Sequence, residues 1–203
     1  MLNILQYIFQ FCKQNVIPFA LILPALCISI AGDSLIIPMR YDREAIFSGE
    51  IWRLITGNLA HLGWPHLLMN LASLMLIWML FGKTLSTLTW AIVALVSSLF
   101  VTVGLMLFSP MTGWYVGLSG MLHGLFIAGV FANIANGYKL EYLLLVAVFA
   151  KLFWEQWYGP LPGSESLAGG SVVVNSHLYG AIAGLIAGIY IWITHKTTTL
   201  NIS

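Results

Sequence analysis

Charge is what this chain most conspicuously lacks. Of its 203 residues only 7% are Asp, Glu, Lys or Arg, against about 25% in soluble domains. Eight Lys and Arg face seven Asp and Glu, for a net charge of +1. No basic patch is available to neutralise a phosphate backbone, which excludes nucleic acid as a partner. Cysteine is nearly absent as well. Cys12 and Cys27 would lie about 22 Å apart on a helix rising ~1.5 Å per residue, too far for a disulfide. Neither has metal-ligand spacing, and neither a metal nor another cofactor is expected. Soluble segments and internal repeats are also missing. What remains is apolar: 60% of the chain is hydrophobic and its mean hydropathy is +0.91. Such a chain belongs in lipid.

A membrane-crossing helix takes about 20 apolar residues, within a range of roughly 17–25. Six stretches answer to this, at residues 15–31, 64–81, 90–108, 116–135, 140–157 and 177–194. The first is not read as a secretory signal: it holds Pro18 and Pro24 and follows a single Lys, so a retained, proline-kinked helix is expected. Residues 32–63 form the longest polar stretch. The Gly-, Ser- and Pro-rich run 158–176 reads as a flexible loop. The expected architecture is an all-α integral membrane protein, a single six-helix bundle spanning residues 1–203. An even number of spans puts both termini on one side. Lys13, Lys83, Lys139 and Lys196 then share that side, and Arg40, Arg43 and Arg53 lie opposite. This imbalance favours cytoplasmic termini.

Spans two, four and six all start on the face opposite the termini, and each carries a polar residue near its start: Asn70, Ser119 and His177. Polar groups at that depth are costly unless paired or used. Serine needs a base to become a nucleophile, and histidine is the usual base near neutral pH. Ser119 also opens a helix, whose first N–H groups can face a developing oxyanion. Gly117 and Gly120 leave room for a substrate backbone. Asn70 and His66, four residues before it, offer side-chain donors to the same oxyanion. Each piece has a plainer reading: Ser119 as a helix cap, Asn70 as an interhelical hydrogen-bonding residue, Gly180, Gly184 and Gly188 as a packing stripe. Their coincidence on one face favours a hydrolytic site with a Ser119–His177 dyad.

His123, four residues beyond Ser119, is the competing base. A base on a facing helix approaches the hydroxyl from the substrate side, which favours His177 and makes His123 a stacking or hydrogen-bonding support. Lys151 and Glu155 read either as an intrahelical ion pair or as groups beside a lateral opening that orient a substrate helix, with Trp154 as a further substrate contact. His61 is expected to support the first loop or His66. The Gly169-Gly170 loop is read as a cap over the site or a simple connection.

These residues resemble the rhomboid family of intramembrane serine proteases. Glu50-Ile51-Trp52-Arg53 is similar to the family's Trp-Arg element, His61-x4-His66-x3-Asn70 to its oxyanion-side motif, Gly117-x-Ser119-Gly120 to its nucleophile motif, and His177-x2-Gly180-x3-Gly184 to its base-bearing span. Many rhomboid proteases carry a tyrosine where this chain has His123. That departure, with the runs Gly117–Gly124, Lys151–Gln156, Gly159–Glu165 and Val172–Gly180, resembles the rhombosortase subgroup of bacterial rhomboid proteases. The resemblance implies a bacterial inner-membrane enzyme with its site toward the extracytoplasmic face. Its implied substrates are exported proteins ending in a Gly-Gly motif, one transmembrane helix and a basic tail; membrane lipid is its other partner. It implies Ser119 as nucleophile and His177 as base, with His66 and Asn70 beside the oxyanion. Hydrolysis follows from the dyad, and transfer to an amine acceptor from the subgroup name alone. Other readings are a general rhomboid protease of single-span substrates, a non-catalytic rhomboid-like protein that sorts membrane helices, and a small proton-relay transporter.

Overall fold

The computed structural model describes residues 15–200 together with 4, 6 and 10–12. Lys13 lies outside the described residues, as does the side chain of Lys196. In chain order the elements are α1 (Val16–Ala31), α2 (Asp33–Met39), β1 (Tyr41–Asp42), α3 (Arg43–Phe47), α4 (Arg53–Thr56), α5 (Trp64–Phe81), α6 (Thr87–Phe108), β2 (Trp114–Tyr115), α7 (Ser119–Ala135), α8 (Glu141–Tyr158), α9 (Ser164–Ala168) and α10 (Val174–Leu200). The architecture is helical apart from β1 and β2, which pair antiparallel with Tyr41 opposite Tyr115.

Three helices are long and apolar enough to cross a membrane by length and composition: α5, α6 and residues 174–195 of α10. Helices α1 and α7 are apolar but shorter. Helix α8 has 18 residues and includes Glu141, Lys151 and Glu155.

Local chemistry explains where the helices begin. Helix α5 carries a proline in its first turn, where the missing N–H costs no hydrogen bond. Ser86 caps α6, its Oγ accepting from the Thr89 N–H at 3.1 Å, so this helix starts three residues before the expected Trp90. Helix α7 starts later than the apolar run that contains it. Gly117 has φ +125 and donates its N–H to the Gly57 carbonyl at 3.1 Å, so the helix opens at Ser119 instead of residue 116.

Helix α7 is the centre of the bundle, with much of its length buried, and its contact with α10 is the most extensive between any two helices. Glycine makes that closeness possible. A Cβ on Gly180 would collide with the Gly120 carbonyl oxygen, and one on Gly184 with that of Gly124. On the other side of the seam, a Cβ on Gly120 would lie 2.8 Å from the Ser176 carbonyl oxygen. The two backbones therefore touch, and the helix starts bearing Ser119 and His177 meet at the same end.

The first loop is built around Arg53. Its guanidinium is buried, bonds Glu50 at 2.7 Å, and donates to the Ile37 and Arg40 carbonyls at 2.8 and 2.9 Å. Asp42 caps α3 through the Ala45 N–H at 3.3 Å and pairs with Arg40 at 3.0 Å. Partial burial raises the Asp42 pKa, but these bonds outweigh it and hold the carboxyl below its usual range. Through β1 and Gly57 this loop grips the segment leading to Ser119 at two points, β2 and Gly117.

Candidate active site

A cavity of about 1000 Å³ opens above the start of α7. Its wall carries His66 and Asn70 from α5, Ser119 and His123 from α7, Lys151 and Glu155 from α8, and His177 from α10. Chain from the α8–α10 connection, including Gly169 and Gly170, forms its far side. A second, apolar groove of about 290 Å³ runs between α5 and α8, lined by Leu76 and Ile77 on one side and Leu144 and Val148 on the other, and it too ends at Ser119.

At the centre, Ser119 Oγ lies 2.9 Å from His177 Nε2. The other imidazole nitrogen, Nδ1, lies 2.9 Å from Glu155 Oε2 and 3.2 Å from Lys151 Nζ. An ammonium can only donate. The shorter contact, to the carboxylate, therefore places the ring proton on Nδ1 and leaves the Nε2 lone pair facing the serine hydroxyl. Lys151 also pairs with Glu155 at 2.8 Å.

His123 is placed differently. Its Nδ1–H donates to the Ser119 carbonyl at 2.7 Å, and its Nε2 accepts from Lys151 Nζ at 2.7 Å. Both nitrogens are thereby committed away from the serine hydroxyl. The ring instead stacks on His177, with centroids 4.4 Å apart and planes at 23°.

The side of the cavity expected to receive an oxyanion is assembled around Gly117. His66 Nδ1 accepts from the Leu62 N–H at 3.4 Å, so Nε2 carries the ring proton. That edge would lie 2.8 Å from a Cβ on Gly117, which accounts for glycine there. Asn70 Nδ2 is buried and has no hydrogen-bond partner, although buried donors are rarely left unpaired. Behind them His61 packs edge-on against His66, with centroids 5.1 Å apart. Burial, with His66 beside it, lowers the His61 pKa to about 3. The ring is neutral, and Nδ1–H donates to the Leu59 carbonyl at 3.0 Å.

His123, Glu155 and His177 present ligand atoms within 4.8 Å of one another, a donor set suited to a metal ion. Lys151 Nζ contacts all three and occupies the place a cation would take. The group is a nitrogen and oxygen cage closed on a lysine.

Of the residues singled out from sequence, one stands apart. Trp154 is half-exposed on the outer side of α8 and packs on Tyr158 with ring centroids 4.8 Å apart. Lys151 and Glu155 turn inward beneath His177 and away from the lateral groove. The Glu155–His177 contact was not foreseen. Its only sequence signal is the Lys-x3-Glu pair in an apolar helix, since two charges there must find partners.

A family model described as the Rhomboid domain matches residues 48–194, well over half of the chain. The chain belongs to the rhomboid family. Rhomboid proteins are in general intramembrane serine proteases. No curated protein matches the sequence. In this rhomboid chain the matched region runs from just before Arg53 to the end of the apolar part of α10, and so includes every residue lining the cavity from α5, α7, α8 and α10.

Proposed function

We propose that this rhomboid protein is an intramembrane serine endopeptidase of the rhombosortase type, with Ser119 as nucleophile and His177 as base. The observation that carries the reading is the 2.9 Å contact between Ser119 Oγ and the Nε2 lone pair of His177, facing a cavity that also holds the unpartnered Asn70 amide. In the first step the hydroxyl proton passes to Nε2 as Oγ bonds the substrate carbonyl carbon. The carbonyl π pair moves onto oxygen, which accepts from Asn70 Nδ2, His66 Nε2 and the N–H groups at the start of α7. Collapse breaks the C–N bond, and the Nε2 proton leaves with the amine. Water then attacks the acyl-serine by the same route in reverse order of proton transfer.

The bundle is proposed to span six times, with α1, α7 and α8 completing the set begun by α5, α6 and α10. The 17 residues of α7 cover about 25 Å at ~1.5 Å each, short of the ~30 Å hydrocarbon core. We assign the deficit to the Ser119 end, where the cavity opens. The groove between α5 and α8 suits an apolar helix arriving from the side, and its termination at Ser119 suits a scissile bond at the head of that helix. A Gly-Gly pair at this point weakens the substrate helix by about 1 kcal/mol per glycine and fits beside Gly117. The termini are placed in the cytoplasm and the cavity on the outer face of a bacterial inner membrane.

The test is co-expression with a secreted reporter ending in Gly-Gly, an apolar helix and a basic tail, beside a matched reporter with both glycines replaced by leucine. Release of the first alone, dependent on Ser119, is the expected result. Equal release of both makes the protein a general rhomboid protease. No release, together with no labelling of Ser119 by a fluorophosphonate, overturns the enzyme reading in favour of a non-catalytic helix-binding protein.

Asn70→Ala removes one oxyanion donor and empties no hydrogen bond of the folded protein. Its kcat is expected to fall about 10²–10³-fold, with reporter KM nearly unchanged. A loss under threefold would remove Asn70 from the oxyanion pocket.

A further inference from the structure

A serine–histidine pair has no intrinsic means of fixing which imidazole nitrogen carries the proton. In this chain a third residue is in position to do so. Glu155 is 3% exposed, and its Oε2 lies 2.9 Å from His177 Nδ1, the nitrogen opposite the one facing Ser119. Order along the contacts is Ser119 Oγ, His177 Nε2, His177 Nδ1, Glu155 Oε2. We propose that Glu155 is a positioning residue of the hydrolytic site, so that the protein works with a Ser119–His177–Glu155 triad rather than a dyad. The inference rests on the protease reading above and deepens it.

Three observations support the assignment. Among the described residues the carboxylate is the only acidic group at the imidazole, and its distance and placement are those of the acid that orients histidine in soluble serine hydrolases. Lys151, 2.8 Å from the same oxygen, keeps the carboxylate ionised despite its burial, since an unpaired charge there would be neutralised. His123 closes the other side: stacked on His177 and anchored to Ser119's own carbonyl, it prevents the ring from flipping.

The roles follow from charge. When Nε2 takes the serine proton, the imidazolium forms 3.2 Å from the Lys151 ammonium, a repulsive neighbour. The Glu155 carboxylate lies closer, at 2.9 Å, and offsets it. The proton on Nδ1 stays there throughout. Glu155 accepts its hydrogen bond and takes no proton.

A structural alternative must be separated from this. Glu155 is also the counter-charge of Lys151, and its loss leaves a part-buried ammonium without its counter-charge. Two variants distinguish the cases. Glu155→Gln is expected to slow fluorophosphonate labelling of Ser119, and to lower kcat on the reporter tail by about 10²–10⁴-fold, while KM holds. Glu155→Asp, which keeps the charge, is expected to recover part of the loss. In the double variant Lys151→Met with Glu155→Gln, no unpaired charge remains. If Glu155 orients His177, the double variant stays slow. If Glu155 serves only to neutralise Lys151, the double variant regains the wild-type rate and the proposal is overturned.

All measurements use the full chain in lipid vesicles, with labelling as a readout independent of the client tail. Glu155→Gln within threefold of wild type, beside an unlabelled Ser119→Ala, overturns the positioning role and leaves the protease reading intact. Labelling that persists in Ser119→Ala removes the protease reading itself.

Discussion

Ser119→Ala is expected to abolish fluorophosphonate labelling and to lower reporter cleavage by about 10⁶-fold. The loss should be complete in practice, because nothing beside Ser119 can replace it. The Tyr115 hydroxyl donates to the Gly117 carbonyl at 2.6 Å, and Ser176 of α10 is buried and donates to the Val173 carbonyl at 2.7 Å. The alanine variant should remain nearly as stable as the parent, since Ser119 makes no helix cap and its Oγ gives up only the contact to His177 and the neighbouring Tyr115 hydroxyl. Membrane accumulation equal to wild type with no cleavage is therefore the diagnostic pair. Cleavage surviving at a tenth of the parent rate would place the nucleophile elsewhere.

The second large effect separates two histidines that share one stack. His177→Ala is expected to lose about 10⁶-fold, and the double variant with Ser119→Ala to be no worse, because a nucleophile and its base act as a unit. His123→Ala removes a stacking partner worth roughly 0.5–1.5 kcal/mol, a loss of about tenfold or less. The contrast follows from the nitrogens: His177 faces the hydroxyl, whereas those of His123 face a carbonyl and an ammonium. The reverse ranking in the reporter assay would move the base onto α7.

Much of the fold was legible because lipid imposes a simple length rule. As helices, Trp64–Phe81 coincides with its expected stretch and α1, α6, α7 and α8 match theirs within a turn, whereas α10 runs six residues past the expected end at 194. The differences are local. Gly117 delays α7, Ser86 advances α6, and α10 starts at Val174, so His177 sits inside the first turn and not at the helix mouth. The pairing of Tyr41 with Tyr115 was invisible, since two residues carry no period.

The site was legible where a polar side chain interrupts an apolar helix: Asn70, Ser119 and His177 announce themselves. The rotation of α8 about its own axis did not. Neighbouring residues on a helix point about 100° apart, so Glu155 turns to His177 while Trp154, one residue earlier, faces outward. The sequence holds Lys151 and Glu155 on one face but does not say which way that face looks. Only the packed bundle decides it.

The glycine seam between α7 and α10 has a consequence for tolerances. Where side chains separate two helices, their rotamer exchange blurs the spacing of anything mounted on them. Here backbone meets backbone at Gly120 and Gly180, and a main chain has no rotamers. The separation of the two backbones that carry the hydroxyl and the imidazole is thus set by atomic radii, like a gap ground between two flats. Loosening of the outer helices would then reach the site through Glu155 of α8, not through the spacing of the helices that carry Ser119 and His177.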